Sequence, residues 1–477
     1  MRCIDTFLCF CVAALFFLSA PVFAQDTQRV IEAQQRQLEM QQKQLEEQRK
    51  MLQELQQQVE GLAKSEKESQ GQEAAKHTPT SAEREKPERE ESVLEKRIRD
   101  PRNRPEGMKI PDGWIPVPGR KTDVRFGGFV QVNFIHDFQN AGFPYGEFIS
   151  SQILVPTDDT PNTEFDPRTS RLTFETRTPG PRDSYYNTFF SIDFAGNPEE
   201  GSIQPRLRQA YLSGVGVFSG AAFAVGQTQT TFNDLGVWPD IFDLEGPNAM
   251  TGLRQVLARY SFTLDEAKHL IADFALEQPE TGVQNGNGLR ILPDALARIN
   301  WHQDWGHLAA VALGRQLVAE STSGTGEDSA FGWGLSFSGE LKVPNSKDNF
   351  RFQVQGGSGI GRYVFDLGSA PTPQGAVYND ATAELSPLAE FGAFGAYQHY
   401  WAAKWRSTLA VGYLWMNNQT EQPPDELKQT IYAVGNVIYR LYDRLDFGLE
   451  YYWGQRKDKD DRTGNANRLM FSLKYPF

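Results

Sequence analysis

Cysteine is nearly absent from this chain, and where it occurs it says little about the folded protein. Three of 477 residues are Cys, and Cys3, Cys9 and Cys11 all lie in one N-terminal apolar stretch. Arg2 before that stretch, and Val22-Phe23-Ala24 ending it on a small residue, make residues 1–24 a cleaved secretory signal. No cysteine follows a small-residue cleavage site, so a lipoprotein is not expected. The mature chain then holds no thiol, which excludes a disulfide framework and thiolate chemistry. Apolar runs of the about 20 residues that a spanning helix needs are missing after the signal, so membrane insertion has to be by strands. Positive charge is in deficit: Lys and Arg number 48 against 61 Asp and Glu, a formal net charge of -13. That balance argues against nucleic acid as a partner. The six His show no His-x-x-x-His spacing, so no zinc site is expected. Gly356-Gly357-Ser358-Gly359-Ile360-Gly361 is followed by no Walker lysine and reads as a strand end and loop rather than a phosphate cradle. No cofactor is expected.

What is present falls into three textures. The mean hydropathy is -0.51, yet aromatic residues make up 12% of the chain and Gly numbers 42. In residues 25–62, Gln, Glu, Lys and Arg dominate, and Ile31, Leu38, Leu45, Leu52 and Val59 recur at heptad spacing. With these at position a, position d holds Gln34, Gln41, Gln48, Leu55 and Leu62, a coiled coil that strengthens toward its C-terminal end. Two strands and three strands remain open on this evidence. Residues 63–120 shift to Glu, Lys, Ser, Thr and Pro, with the run Glu83-Arg84-Glu85-Lys86-Pro87-Glu88-Arg89-Glu90, and read as a solvated, partly extended linker.

Residues 121–477 alternate with period two. Val124, Phe126, Val130, Val132 and Phe134 fall on one face, and Arg125, Gln131 and Asn133 on the other. Comparable segments centre near residues 129, 173, 190, 210, 225, 257, 271, 298, 310, 335, 352, 393, 409, 434, 449 and 472. About sixteen such segments predict an all-β transmembrane barrel of antiparallel strands, preceded by the α-helical coiled-coil extension. Connections alternate between tight turns, as at Asp443-Arg444, and long excursions at 139–166, 231–252, 277–293, 358–387 and 454–465. Short turns suit a periplasmic end and long loops an extracellular one. The final strand, Leu469-Met470-Phe471-Ser472-Leu473-Lys474-Tyr475-Pro476-Phe477, has apolar or aromatic residues at every odd position and ends on Phe477. Such a terminus resembles the signal read by the barrel assembly machinery of bacterial outer membranes.

The heptads, Phe126-Gly127-Gly128-Phe129, Arg168-Thr169-Ser170-Arg171-Leu172, Arg206-Leu207-Arg208-Gln209-Ala210-Tyr211, Gly226-Gln227-Thr228, Thr231-Phe232-Asn233-Asp234 and Asp243-Leu244-Glu245-Gly246-Pro247-Asn248 together resemble the DcaP-like family of trimeric outer-membrane porins. The resemblance covers the mature chain. It implies a homotrimer in outer-membrane lipid and a diffusion channel for small anions, dicarboxylates and aromatic carboxylates among them.

Inward side chains set selectivity in such a barrel. Alternation places Arg125, Arg171, Arg206, Arg208 and Arg351 inward, and Arg259, Arg298 and Arg406 on the same argument, while Arg254 precedes a strand and faces the loop 231–252. Guanidinium binds carboxylate with two parallel hydrogen bonds, although any one of these arginines can instead pair with a neighbouring acid of the wall. The loop 231–252 carries Phe232, Leu235, Val237, Trp238, Ile241, Phe242, Leu244 and Met250, which suits a segment folded back into the barrel. Its acids Asp234, Asp240, Asp243 and Glu245 would then face the arginines across a narrowed pore and set up a transverse field. A rival of another class is a structural anchor whose coiled coil tethers the barrel to peptidoglycan or a periplasmic partner. An enzyme is disfavoured, because no catalytic constellation is assembled: His302 and His307 flank a short turn, and Asp458, Asp460 and Asp461 alternate with Lys457, Lys459 and Arg462.

Overall fold

The computed structural model describes residues 113–477, apart from 144, 182–183, 197–202, 219–220, 268 and 325. The signal segment, the coiled-coil heptads Ile31, Leu38, Leu45, Leu52 and Val59, and most of the linker lie outside the described residues.

Sixteen antiparallel strands close on themselves. The first eight are β1 (Asp123–Asp137), β2 in two pieces (Asn162–Asp166 and Arg171–Pro179), β3 (Tyr185–Asp193), β4 (Arg206–Phe218), β5 (Ala221–Gln229), β6 (Arg254–Thr263), β7 (Leu270–Glu277) and β8 (Asp294–Gln303). The others are β9 (Gly306–Ser321), β10 (Glu327–Lys342), β11 (Asn349–Ser358), β12 (Ala389–Ala402), β13 (Trp405–Asn417), β14 (Leu427–Tyr442), β15 (Leu445–Asp458) and β16 (Thr463–Pro476). Each segment centre expected from alternation falls inside a different one of these strands. Three of the expected excursions contain barrel strand: 139–166 ends in Asn162–Asp166, 277–293 contains Gly286–Leu289, and 454–465 is mostly strand. β15 and β16 run on through most of it and leave only residues 459–462 as a turn, because Gln455, Arg456 and Lys457 pair with Asn465, Gly464 and Thr463.

Closure has a seam. β1 pairs with β16 from Phe129 to Asp137, and the chain terminus stops there, with the Phe477 amide donating to the Gly128 carbonyl at 3.1 Å. Below that point the free edge of β1 is covered by Ile115–Pro116, which pairs with Asp123 and Val124. The last residues of the expected linker therefore belong to the folded unit. Trp114 packs there under the Arg125 guanidinium, 4.7 Å from its ring.

The alternation is inverted relative to a water-soluble protein. Phe126, Val130 and Phe134 point outward and are exposed, whereas Gln131 and Asn133 point inward and are fully buried. An apolar outer face and a polar inner face are the pattern of a barrel in lipid. Trp301 with Trp305 and Trp405 with Tyr439 make ring pairs at the short-turn end, in the manner of an interfacial girdle.

Inward residues are buried because loops fill much of the lumen, which a simple water-filled tube would not do. The segment following β1, the segment between β5 and β6, and the segment between β11 and β12 all enter. The last of these carries the short helix α1 (Phe365–Gly368). Ile153, Phe148 and Phe242 pack on Tyr432, Tyr452, Val434 and Ile438 of the wall. Phe232 packs with Ile360, Tyr363 and Leu313.

Gly128 sits where the terminus meets the wall, with φ of +148° and an added Cβ only 2.1 Å from the Arg171 carbonyl. Neither the torsion nor the space accepts a side chain. Gly128→Ala should destabilise the closed barrel by about 1–3 kcal/mol, read as a lower melting temperature of the heat-modifiable band on gels.

Candidate functional site

Between β5 and β6 the chain leaves the wall, crosses the lumen and returns. Its root is fixed by Asp234. That carboxylate receives the Gly236 amide at 3.1 Å, His307 Nε2 at 3.0 Å, the Ser338 hydroxyl at 2.7 Å and the Arg298 guanidinium at 3.1 Å. Burial alone would raise its pKa, but His307 and Arg298 hold it well below the usual carboxylate range. Arg298 also donates to the Asn233 carbonyl at 2.5 Å, so it fastens the loop's backbone as well as its acid. Asp234 and Arg298 are thus anchors away from the open space, not the opposed charges of a pore.

Further along, Leu235, Trp238, Asp240, Asp243 and Leu244 border a chamber of about 160 Å³. Facing them from the wall are Phe129, Arg171, Arg351, Arg406, Arg440 and Lys474. Arg351 bonds Glu340 at 2.7 Å and the Trp238 carbonyl at 2.9 Å. Arg406 bridges Asp240 at 2.5 Å and Asp446 at 2.8 Å, and Arg440 meets the other oxygen of Asp446 at 2.8 Å. The two remaining cations flank one ring: Arg171 lies 5.3 Å and Lys474 4.1 Å from the Phe129 centroid. Five cationic side chains line the chamber, three of them (Arg351, Arg406 and Arg440) seated on Glu340, Asp240 and Asp446, and cations outnumber acids in its lining.

The loop acids do not act as one set. Asp240 is half-buried, and Arg406 holds its carboxyl below the usual value. Asp243 behaves oppositely. Burial pushes it up to about 8, with Glu147 and Glu450 adding to the effect, so at neutral pH it is mostly uncharged. Glu245, buried and close to Glu147 and Asp243, is likewise pushed well above the usual carboxylate range and accepts the Ser369 hydroxyl at 3.1 Å. The transverse field expected from four ionised loop acids facing arginines is therefore not what the chamber contains. One acid anchors, one pairs and two are pushed toward the neutral form by burial.

The arginines chosen by alternation also separate. Arg171, Arg351 and Arg406 reach the chamber. Arg298 is taken up by the loop root. Arg259 shares the inward alternation of Leu257 and Ser261, but it does not border the chamber. Arg254 does not precede its strand; it begins β6, on the outward alternation of Val256 and Ala258. Arg206 and Arg208 converge on Asp193, at 2.8 and 2.5 Å, at the long-loop end of β3 and β4. The cause is a bulge: Ser191 pairs with Gln209 and Ile192 with Leu207, which leaves Arg208 as the extra residue.

Lys474 and Arg440 were missed by sequence reasoning. Lys474 stands one step beyond Ser472 on the inward side of β16, so alternation of the terminal strand contains it. Arg440 is less legible, because Tyr432, Val434 and Ile438 on its inward alternation are apolar or aromatic where loops dock on them, while Thr430 and Asn436 keep that face polar.

Arg298→Met leaves Asp234 with one cationic neighbour fewer and two loop carbonyls without a donor. Breaking a buried pair of this kind costs about 3–5 kcal/mol. We expect a lower melting temperature and noisier single-channel current, while the barrel's circular dichroism stays unchanged.

The comparisons with known proteins agree with this architecture. Comparison with curated proteins finds no match. Among solved structures, the outer membrane channel DcaP of Acinetobacter baumannii superposes with a TM-score of 0.65 at 20% identity, over 76% of this chain and 99% of that one. An anion-selective porin from Comamonas acidovorans gives a TM-score of 0.51 at 9% identity, over 75% of this chain and 100% of that one. At such identities the likeness is one of fold. The family model described as DcaP outer membrane protein matches residues 108–477, so the chain belongs to the DcaP outer membrane protein family.

Proposed function

We propose that this outer-membrane porin conducts small anionic solutes passively, carboxylates in particular, through the chamber between the inward loop and the wall. The observation that carries the proposal is the cluster of Arg171, Arg351, Arg406, Arg440 and Lys474 around one cavity, with Asp243 held neutral beside it. The net charge of -13 does not oppose this. Exposed acids are screened beyond about 10 Å at 0.1 M salt, whereas charges inside a narrow low-dielectric cleft act at close range. Arg351, Arg406 and Arg440 are oriented by their own carboxylates and offer their outer N–H groups to a passing anion. Lys474 is different: it rests on the Phe129 ring, and a compact ammonium with three rotatable donors can follow a solute and let it go. Orientation follows from loop length, with the short turns and the N-terminal extension in the periplasm.

Replacing Arg171 and Lys474 together by Ala removes the two cations that flank the Phe129 ring in the chamber. In a tenfold KCl gradient the reversal potential should move toward cation preference, and block by succinate should weaken. Carried from pH 7 to pH 9, the same measurement should show anion preference falling less in Asp243→Asn than in the unmodified channel. Asp243 with its pKa near 8 gains negative charge across that window. An unmodified channel that is already cation-selective defeats the proposal.

A homotrimer, joined by the barrel walls and strengthened by the heptads Ile31, Leu38, Leu45, Leu52 and Val59, belongs to the same reading. Its support is the family and the heptad register. Deleting residues 25–62 should leave a conducting trimer that dissociates at a lower temperature on native gels. Deleting Phe477 should lower the amount assembled in cells, through the assembly machinery, without changing conductance per channel. A monomeric truncation, or normal assembly of the deletion, would reverse these two assignments.

A further inference from the structure

On the other side of the inward loop, toward the long-loop end, lies a second cavity of about 240 Å³ that the chamber's chemistry does not explain. Its walls carry opposite charges. On one side stand Arg206 and Arg168. Arg206 binds both oxygens of Asp193, at 3.0 and 2.8 Å, yet its side chain remains 30% exposed. Arg168 is fixed by Asp166 at 3.1 Å and stacks on Tyr145, 3.2 Å from the ring centroid. On the other side stands Glu147, half-buried: its carbonyl accepts from Arg468, but its carboxylate has no hydrogen-bond or ion-pair partner among the described residues and only an electrostatic attraction to Arg206. Ser369 beside it is turned away toward Glu245.

This arrangement is built rather than incidental. The β4 bulge at Arg208 brings two guanidiniums to Asp193, so that carboxylate is oversupplied and the outer face of Arg206 stays available. The break in β2 between Asp166 and Arg171 turns Arg168 into the same space. The Asp166 carboxylate also accepts the Gly146 amide at 2.9 Å, which fixes the backbone directly before Glu147. An unpaired carboxylate held in a cleft is costly unless a cation visits it.

We infer that this cleft is an entry station for solutes bearing both a carboxylate and an ammonium, acidic amino acids in particular, with the carboxylate on Arg206 and the ammonium on Glu147. A plain dicarboxylate meets Glu147 as a like charge and gains only half the contacts. The cleft lies ahead of the cation-lined chamber for a solute arriving from the long-loop side, so it sorts solutes before the chamber accepts their carboxylates. The inference rests on the reading of this barrel as a channel.

Glutamate and glutarate share a carbon chain and differ by the amino group, so they make a matched pair of probes. Each is added to the long-loop side of a single channel in a bilayer, and block is counted. Glu147→Gln should weaken glutamate block roughly tenfold, the loss of one charge-assisted hydrogen bond, and leave glutarate block unchanged or stronger. Arg206→Gln should weaken both. Equal responses of the two solutes to Glu147→Gln, or no response of either, overturns the station while leaving the channel intact. Should Glu147→Gln fail to assemble, Glu147→Asp keeps the charge on a shorter arm and should still favour glutamate over glutarate, only less. A barrel that conducts nothing refutes the channel reading instead, and calorimetric titration of the purified protein with the same two solutes then decides the station.

Discussion

The interior of this barrel depends on guanidinium groups of the wall bonding to backbone carbonyls of the loops that enter it. Irregular chain at membrane depth is tolerated only where its polar groups find partners inside the protein. Arginine supplies five N–H donors from one side chain, and no other residue matches that. Arg298 donates to the carbonyl of Asn233, and Arg351 to that of Trp238, along the loop between β5 and β6. Arg468, with no exposed surface, holds Asp137 with two bonds and donates to the carbonyls of Phe143, Tyr145 and Glu147. Arg315 reaches the carbonyls of Gly359 and Glu280, and Arg456 those of Ser151 and Asp425. Each clamp is itself seated on a carboxylate: Asp234, Glu340, Asp137, Asp294 or Asp458.

This use of arginine separates structure from function within one residue type. A guanidinium seated on an acid and on loop carbonyls has few donors left for a solute, so Arg298, Arg315 and Arg468 belong to the wall. Arg406 and Arg440 share Asp446 without binding a loop carbonyl, and their remaining N–H groups face the chamber. Arg351 does both. The loop it clamps is the loop that narrows its own chamber, which couples the width of the passage to the position of its charge.

The barrel was legible because alternation needs only the contrast between lipid and lumen. Sixteen segments could be counted from side-chain type, and their order follows from a meander with tight turns on one end. The inward loop was also legible, since Phe232, Val237, Phe242 and Met250 make no sense in water. Allocation of the arginines was not. Alternation says which side of the wall a residue faces, not whether a carbonyl 65 residues away in sequence will occupy it, as Asn233 occupies Arg298. Nor does it foresee the bulge that sends Arg206 and Arg208 to one acid, because an extra residue in a strand has no composition signature. Where loops dock, the inner wall turns apolar and the contrast itself fades, which hid Arg440.

Acidic residues show the same division by environment. Asp240 and Asp243 are three positions apart on one loop, yet one is held ionised by Arg406 and the other is kept neutral by burial. Counting both as negative would make the chamber nearly balanced; counting them as their surroundings dictate leaves it positive. The distinction matters for transport because an anion moving through responds to charges at a few ångströms and hardly to the many exposed acids of the chain. A single substitution that rehydrates Asp243 would therefore alter selectivity more than the loss of several surface carboxylates. The charge an ion meets is set by packing around the inward loop, and that packing is set by the clamps.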